Sequence, residues 1–444
     1  MSATSNLFER HIAENPTSSE VAARTGEERR PRVLFINRSY WPDNEATGQL
    51  LTELTEDLSK QFDVSVIAGR PNVNTTGEAH HSIRVQYRNG VRVLRVPHLR
   101  LPKHSFFGRG LNFITFLIAA LLRGLILGRQ DVIVVESDPF LLPYVGWSLR
   151  LRHNSRFLIY LQDIHPNLGL AIGHLNDSLL MGFLSRSLRS LYRRADRVVV
   201  LSEDMRQTLI SDGIDPVSCT IVPNWVDTKL VNPERGMNRF RLEAGIPEST
   251  FLVMYSGNLG VTQQLELLLE AAEQLRDEQE ILFAFIGSGS AKARLESIVQ
   301  SKNLTNVRFF PYQPKENLGS SLSAADLHVI SVHPNALDYL MPSKLYGIMA
   351  AGRPVLAVVR PTSQLARVIE SGRIGTIVPP GNSAAIAAAI QAARLNRASL
   401  ELQGQQARRL VEMEYNRPVV TPQFAQILRE LLANPTAPKA AVAA

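Results

Sequence analysis

Residues 251–289 read FLVMYSGNLGVTQQLELLLEAAEQLRDEQEILFAFIGSG, and this stretch decides the fold class of the chain. The apolar runs at 251–257 and 281–287 predict two buried strands, and the leucine spacing at 265–277 predicts a helix between them. A strand, a helix and a second strand in this order indicate a parallel sheet covered by helices. Ligands of such sheets bind beyond the carboxyl ends of the strands.

The same alternation of strands and helices fills the first half of the chain. A segment with the letters NPERGMN, residues 232–238, breaks it before it restarts. We therefore predict an α/β protein with two Rossmann-like lobes that have parallel sheets and face each other across a cleft, which is where a ligand should bind. The expected segments are a disordered lead-in (1–30), a first lobe (31–230), a second lobe (231–415), a C-terminal helix packing back on the first lobe (416–433) and a disordered tail (434–444).

Composition fits a globular protein of two domains. The 444 residues are 45% apolar and 20% charged, and Cys219 is the single cysteine. One cysteine excludes a disulfide framework and a zinc ribbon within the chain, and it fits a reducing cytoplasm.

The positive charge lies mainly in the first half. The net charge is +7, and residues 91–160 hold ten Lys or Arg against three Asp or Glu. This excess is compatible with nucleic acid, an anionic membrane surface or a phosphorylated substrate. The polar first thirty residues predict no signal peptide. The apolar run 111–128 is too short and too charged to span a bilayer, so we favour a core helix over a helix on the membrane surface.

Three loops that follow predicted strands carry glycines suited to a close ligand. Gly48 lies near a helix start, where an ordinary loop with Thr47 as N-cap is an equal alternative. Gly257 flanks Asn258, and Gly287 opens a loop that resembles a dinucleotide fingerprint. That fingerprint lacks its third glycine and an acidic ribose partner, which argues against a nicotinamide cofactor.

Lys344 stands where a helix should begin. Pro342 cannot lie inside a helix, Ser343 is a suitable N-cap, and Gly352 is a suitable stop. A cation in the first turn costs about 0.3–1 kcal/mol, and a bound diphosphate would offset that cost. The alternative is a solvated lysine without a ligand.

At this point the chain resembles family-4 glycosyltransferases of the GT-B fold, in particular the fucosyl and N-acetylfucosaminyl transferases of colanic acid and O-antigen synthesis. The likeness covers about residues 32–430. The stretches that carry it are YWPDNEATGQLLTELTEDL, YLQDIHP, IVPNWVD, YSGNLGVTQQLELLLEA, FIGSG and PSKLYGIMAAGRPVLA.

The resemblance implies transfer of a sugar from a UDP- or GDP-linked donor to a lipid-linked or saccharide acceptor, with retention and without a metal or other cofactor. It implies catalytic roles for Asp163 and Lys344. The donor-binding residues that it implies are Gly48, Asn224, Gly257, Asn258, Gly287, Ser343 and Lys344. Many relatives carry Arg and Lys where this chain has Asn258 and Gln263, and glutamates where it has Tyr339 and Gly347.

Two other classes of protein are alternatives to a transferase. A nucleotide-sugar epimerase shares the fold, and a non-enzymatic binder of anionic membranes would explain the basic first lobe. Aromatic residues are too sparse there for a nucleic-acid groove. We expect a peripheral protein on the cytoplasmic face of the membrane, with a basic set that leads into the apolar run at Leu111. This set consists of Arg92, Arg95, Arg100, Lys103 and Arg109.

Overall fold

The computed structural model describes residues 29–43, 45–71, 85–101, 106–234 and 236–433. It contains two α/β lobes, which confirms the predicted fold class. The lead-in expected over 1–30 lies almost entirely outside the described residues, as does the tail expected over 434–444.

The first lobe is built on an eight-stranded sheet with the order β3-β4-β2-β1-β5-β6-β7-β8. Every neighbouring pair is parallel except β3 and β4, which form an antiparallel hairpin that the expectation of a parallel sheet missed. Asn89 and Gly90 make its turn with φ values of 45° and 82°, as a two-residue hairpin loop requires. The strands are β1 (Arg32–Ile36), β2 (Asp63–Ala68), β3 (Val85–Arg88), β4 (Val91–Arg95), β5 (Val132–Val135), β6 (Arg156–Tyr160), β7 (Arg197–Val200) and β8 (Cys219–Ile221).

Helices cover both faces of this sheet, since its central strands are buried on each side. They are α1 (Ala46–Leu58), α2 (Phe106–Leu125), α3 (Leu142–His153), α4 (Asn167–Ala171), α5 (Leu179–Arg194) and α6 (Glu203–Ser211).

The second lobe has a six-stranded parallel sheet with the order β11-β10-β9-β12-β13-β14. Its strands are β9 (Phe251–Ser256), β10 (Ile281–Ile286), β11 (Val307–Phe310), β12 (Leu327–Ser331), β13 (Val355–Val358) and β14 (Gly375–Val378). Its helices are α7 (Arg239–Ala244), α8 (Glu266–Gln274), α9 (Lys292–Ser301), α10 (Leu318–Ser323), α11 (Lys344–Ala350), α12 (Gln364–Gly372), α13 (Ser383–Leu395) and α14 (Arg397–Glu414).

The last helix, α15 (Arg417–Ala433), lies against the first lobe. Its Phe424 ring is centred 6.1 Å from that of Phe35 and 5.2 Å from that of Tyr160. The chain leaves the first lobe near Val226 and returns to it near Asn416. A backbone β-bridge joins these two residues. One hydrophobic core therefore continues from the first lobe through α15 into part of the second.

Helix α2 contains the apolar run that we predicted to be a core helix. One side of the helix is buried as predicted, but the other side is exposed. Phe116 and Ala120 are buried, but Ile114, Ile118 and Leu122 are 49%, 54% and 59% exposed. Among the described residues, no helix combines the length and apolarity that a membrane span requires.

Candidate functional site

The Lys344 ammonium lies in the second lobe against an aromatic ring. Its Nζ is 3.7 Å from the centre of the Tyr255 ring and contacts the Tyr255 hydroxyl. Within the described part of the chain, no carboxylate lies at ion-pair distance from it. Desolvation lowers the pKa of Lys344 to about 7. The residue as a whole stays partly accessible.

The helix that Lys344 begins is shorter than the sequence predicted. Helix α11 ends at Ala350, and Gly352 follows with a φ of 64°, in agreement with the predicted stop. Ser343 holds the N-cap position, as predicted, but its side chain makes no capping hydrogen bond. The Lys344 ammonium therefore contacts the Tyr255 side chain, and the helix behind it is short.

Two glycine loops above Lys344 pack directly on one another. Gly257 has a φ of 135°, and a Cβ there would lie 3.3 Å from Lys344 Nζ. Gly287 has the same φ, and its Cβ would lie only 2.1 Å from the Gly257 carbonyl oxygen. The Tyr255 hydroxyl donates to the Asn258 carbonyl at 2.8 Å. The loop after β10 thus supports the loop after β9, and Asn258 in that loop is exposed.

Asp163 lies on the opposite lobe, at the end of β6. Its backbone forms an antiparallel bridge with Leu340, and the Ile164 N–H donates to the Tyr339 carbonyl at 2.9 Å. Burial raises the pKa of Asp163, and the nearby His165 partly counteracts this. The backbone at Asp163 therefore adjoins the second-lobe segment that leads into Lys344.

The other two predicted residues are farther inside the first lobe. Gly48 lies in the first turn of α1, and a Cβ there would be 3.1 Å from Ser39 Oγ. The helix begins at Ala46 with Glu45 as N-cap, so the Thr47 alternative is wrong. Asn224 is buried and donates through Nδ2 to Gln162 Oε1 at 3.2 Å. The donor-binding roles of both residues stay predictions.

Among the further contacts between the lobes, two involve carboxylates of the first lobe, and the sequence did not predict them. Lys315 Nζ lies 2.6 Å from Glu53 Oε1, and the Trp225 indole donates to the other oxygen of that carboxylate at 3.0 Å. The Asp204 carboxylate accepts from the Gln364 backbone N–H at 2.6 Å. These distant pairs carry no sequence signal, and neither does the contact between Lys344 and Tyr255.

The described residues contain no group of three or more His, Cys, Asp or Glu side chains arranged to hold a metal ion. The chemistry that the site offers is the binding of an anion by a desolvated ammonium and backbone groups of a glycine loop.

Two family models match the chain, one for each lobe. Residues 45–225 match a glycosyl transferase 4-like domain, and residues 237–410 match the group 1 glycosyl transferases. The boundary between the two matches falls at the junction between the lobes.

Relatives resemble the chain over nearly its full length. The putative colanic acid biosynthesis glycosyl transferase WcaI of Escherichia coli is 28% identical over 90% of this chain and 100% of its own. The structure of sucrose-phosphate synthase from Thermosynechococcus elongatus superposes with a TM-score of 0.74 at 20% identity, over 91% of this chain and 100% of that one. Anabaena HepE in complex with UDP and glucose gives a TM-score of 0.70 at 15% identity, over 90% and 100%. These two structures share the fold.

Gly287→Ala should displace the loop that faces Lys344. The added methyl group would meet the Gly257 carbonyl in a backbone conformation that alanine rarely adopts. We expect nucleotide binding to weaken about tenfold or more, with a fall in melting temperature of a few degrees. Gly381→Ala is the control, because Gly381 also has a positive φ but open space around it. Equal nucleotide binding by the two variants would contradict the loop-on-loop account.

Proposed function

The chain belongs to the glycosyltransferases of GT-B fold, with a glycosyl transferase 4-like lobe followed by a group 1 lobe, and we propose that it transfers a sugar from a UDP- or GDP-linked donor to a lipid-linked or saccharide acceptor in the synthesis of a cell-surface polysaccharide. The observation that carries the donor assignment is the unpaired ammonium of Lys344 beneath the Gly257 loop. WcaI supports the polysaccharide assignment by its name, and HepE supports a nucleotide donor by its bound UDP.

Lys344 would bind the donor diphosphate and stabilise it as a leaving group. Cleavage of the glycosyl–diphosphate bond leaves negative charge on the departing oxygen, and a preorganised cation in a dry site stabilises this charge strongly. Tyr255 and the glycine loops hold the ammonium in place before the donor arrives. This arrangement supplies the positive charge from the chain itself, so we propose that transfer is independent of metal.

The acceptor would enter from the first lobe, next to Asp163. A carboxylate there can orient the acceptor hydroxyl or a hydroxyl of the transferred sugar by hydrogen bonding. We propose retention at the anomeric carbon, in line with the family resemblance.

A transfer assay tests this function. The protein is incubated with labelled UDP- and GDP-sugars, with and without polyprenyl-diphosphate-linked saccharide, in the presence and absence of EDTA. The proposal predicts acceptor-dependent, EDTA-resistant transfer with the donor's anomeric configuration in the product. Interconversion of nucleotide sugars without transfer would instead identify an epimerase, and the absence of any turnover would favour a non-enzymatic membrane binder.

Lys344→Ala should reduce kcat/KM by about 100-fold or more, because it removes the cation that faces the diphosphate. Nucleotide-sugar affinity should fall with it, while circular dichroism stays unchanged. Lys302→Ala is a matched control, since Lys302 is a partly exposed lysine of the same lobe paired with Glu273. Turnover by the Lys344 variant at the level of this control would end the donor assignment.

Asp163→Asn should lower kcat by about 10- to 100-fold and leave the Kd of the nucleotide sugar nearly unchanged. The reason is its position on the acceptor lobe, across from the segment that leads into Lys344. Both quantities are measured on the same preparation. A change in nucleotide affinity alone would place Asp163 outside the reaction centre.

We further propose that the first lobe binds a membrane surface peripherally, on its cytoplasmic face. Ile114, Ile118 and Leu122 recur at every fourth residue along α2 and form an exposed apolar stripe. Helix α3 packs against α2 and α5 against α3, and Phe183 on α5 is 65% exposed. Exposed basic side chains on these helices and at their ends belong to Arg129, Arg152, Arg186, Arg193 and Arg194.

This membrane face differs from the one that the sequence predicted. Arg95 points inward, with its guanidinium on the Gly69 and Trp41 carbonyls, so it is removed from the predicted set. The side chains of Lys103 and Arg109 lie outside the described residues. An apolar stripe flanked by arginines is the composition that anionic lipid surfaces attract.

Replacing Ile118 and Leu122 together by Ser should weaken binding to phosphatidylglycerol-containing vesicles about tenfold or more, because two exposed apolar side chains no longer insert. Leu402→Ser is the control, since Leu402 is 56% exposed on the second lobe. Sedimentation with vesicles at low and high salt provides the measurement. Binding by the double variant as strong as that of the parent would refute this surface.

A further inference from the structure

A second basic cluster lies at the carboxyl ends of β1, β2 and β4, on the first-lobe side of the cleft. Arg38 follows β1, Arg70 follows β2, and His98 and Arg100 follow β4. Backbone hydrogen bonds tie these three strand ends together, including Gly69 N–H to the Arg38 carbonyl at 2.9 Å. The donor assignment does not use this cluster.

Not every guanidinium in the cluster is neutralised. Arg38 lies 3.0 Å from Asp138 and 4.0 Å from Glu45. The Arg70 guanidinium, in contrast, has neither a hydrogen bond nor an ion pair to any described residue. The Arg100 guanidinium donates only to the Pro71 carbonyl in that part of the chain.

Two other ionisable groups, Asp43 and His98, lie near these arginines. Asp43 favours the charged forms of Arg95 and Arg100 from a distance, without an ion pair to either among the described residues. Burial and the guanidinium of Arg38 lower the pKa of His98 to about 4, so that His98 is neutral. The cluster therefore has two guanidiniums, those of Arg70 and Arg100, with no carboxylate of a described residue at contact distance.

The backbone that carries them is fixed to helix α2. The Arg70 N–H donates to His98 Nδ1 at 3.4 Å, and the His98 ring packs on Phe116 with centres 5.9 Å apart. The Leu99 N–H donates to Thr115 Oγ1 at 3.1 Å. The backbone at both arginines thus lies beside helix α2, and the outer face of this helix carries the apolar stripe.

We propose that Arg70 and Arg100 bind an acidic group of the acceptor, namely a phosphate or carboxylate oxyanion. Arg70 and Arg100 repel each other, and an oxyanion between them replaces this repulsion with charge-assisted hydrogen bonds. The group is either the diphosphate of a lipid-linked acceptor, which would lie at the headgroup level next to α2, or the carboxylate of an acidic sugar. This inference rests on the proposed function, since it concerns the acceptor of the same reaction.

The test is calorimetry on the full chain in saturating UDP and GDP, which occupy the donor site. The probes are farnesyl diphosphate, farnesol and a disaccharide ending in glucuronic acid. Arg70→Gln and Arg100→Gln are compared with Arg294→Gln, a 72% exposed arginine of the second lobe. We expect an anionic probe to bind, with a Kd raised about tenfold in each cluster variant and unchanged in the control.

The arms of the experiment distinguish the sources of the oxyanion. Binding of farnesyl diphosphate but not farnesol indicates a lipid diphosphate, and binding of the glucuronide indicates an acidic sugar. Equal affinity of all variants for every anionic probe would overturn the proposal, as would the absence of binding. Nucleotide affinity should be unaltered in both cluster variants, so that failure here leaves the donor assignment of Lys344 intact.

Discussion

The constraint on which the rest of the site depends is a lysine ammonium held over a tyrosine ring, with no carboxylate of the described residues beside it. Removing an ammonium from water is costly, and a cation–π contact recovers only about 0.5–2 kcal/mol of that cost. Burial therefore lowers the pKa of Lys344, and under the proposed function the donor diphosphate would supply the missing countercharge. Stability is given up locally so that a binding site for an anion exists before the ligand arrives.

The loops around this lysine explain why both strands of the opening stretch end in glycine. Gly257 allows the backbone to pass close to the ammonium, and Gly287 allows the second loop to lie against the first. The two lobes then meet around this arrangement through the Lys315–Glu53 and Asp204–Gln364 contacts. Under the proposed function, a donor bound to the second lobe would lie next to Asp163 of the first.

The sequence predicted the architecture well because buried parallel strands leave continuous apolar runs, and the two lobes repeat one pattern. It missed the β3–β4 hairpin, although Asn89 and Gly90 carry the signal for such a turn. It also assigned Arg95 to the surface, because charge alone does not show that a guanidinium can fold inward onto backbone carbonyls. The position of Lys344 was predicted, but its partner Tyr255 was not, since the contact joins residues 89 positions apart. Exposure of the stripe on α2 depends on which neighbours cover that helix, which the sequence does not specify.

Proton uptake on donor binding tests the central claim most directly. A diphosphate favours the charged lysine and raises its pKa above the free value of about 7, so binding at pH 7 should take up about half a proton. Affinity should then be greatest below pH 7 and decline as the pH rises through the pKa of the complex. Calorimetry of the nucleotide sugar that serves as donor, in two buffers of different ionisation enthalpy, measures this uptake without interference from a titrating phosphate. The account predicts uptake in the parent protein and none in Lys344→Ala, whereas no uptake, or the same uptake in both, would contradict it.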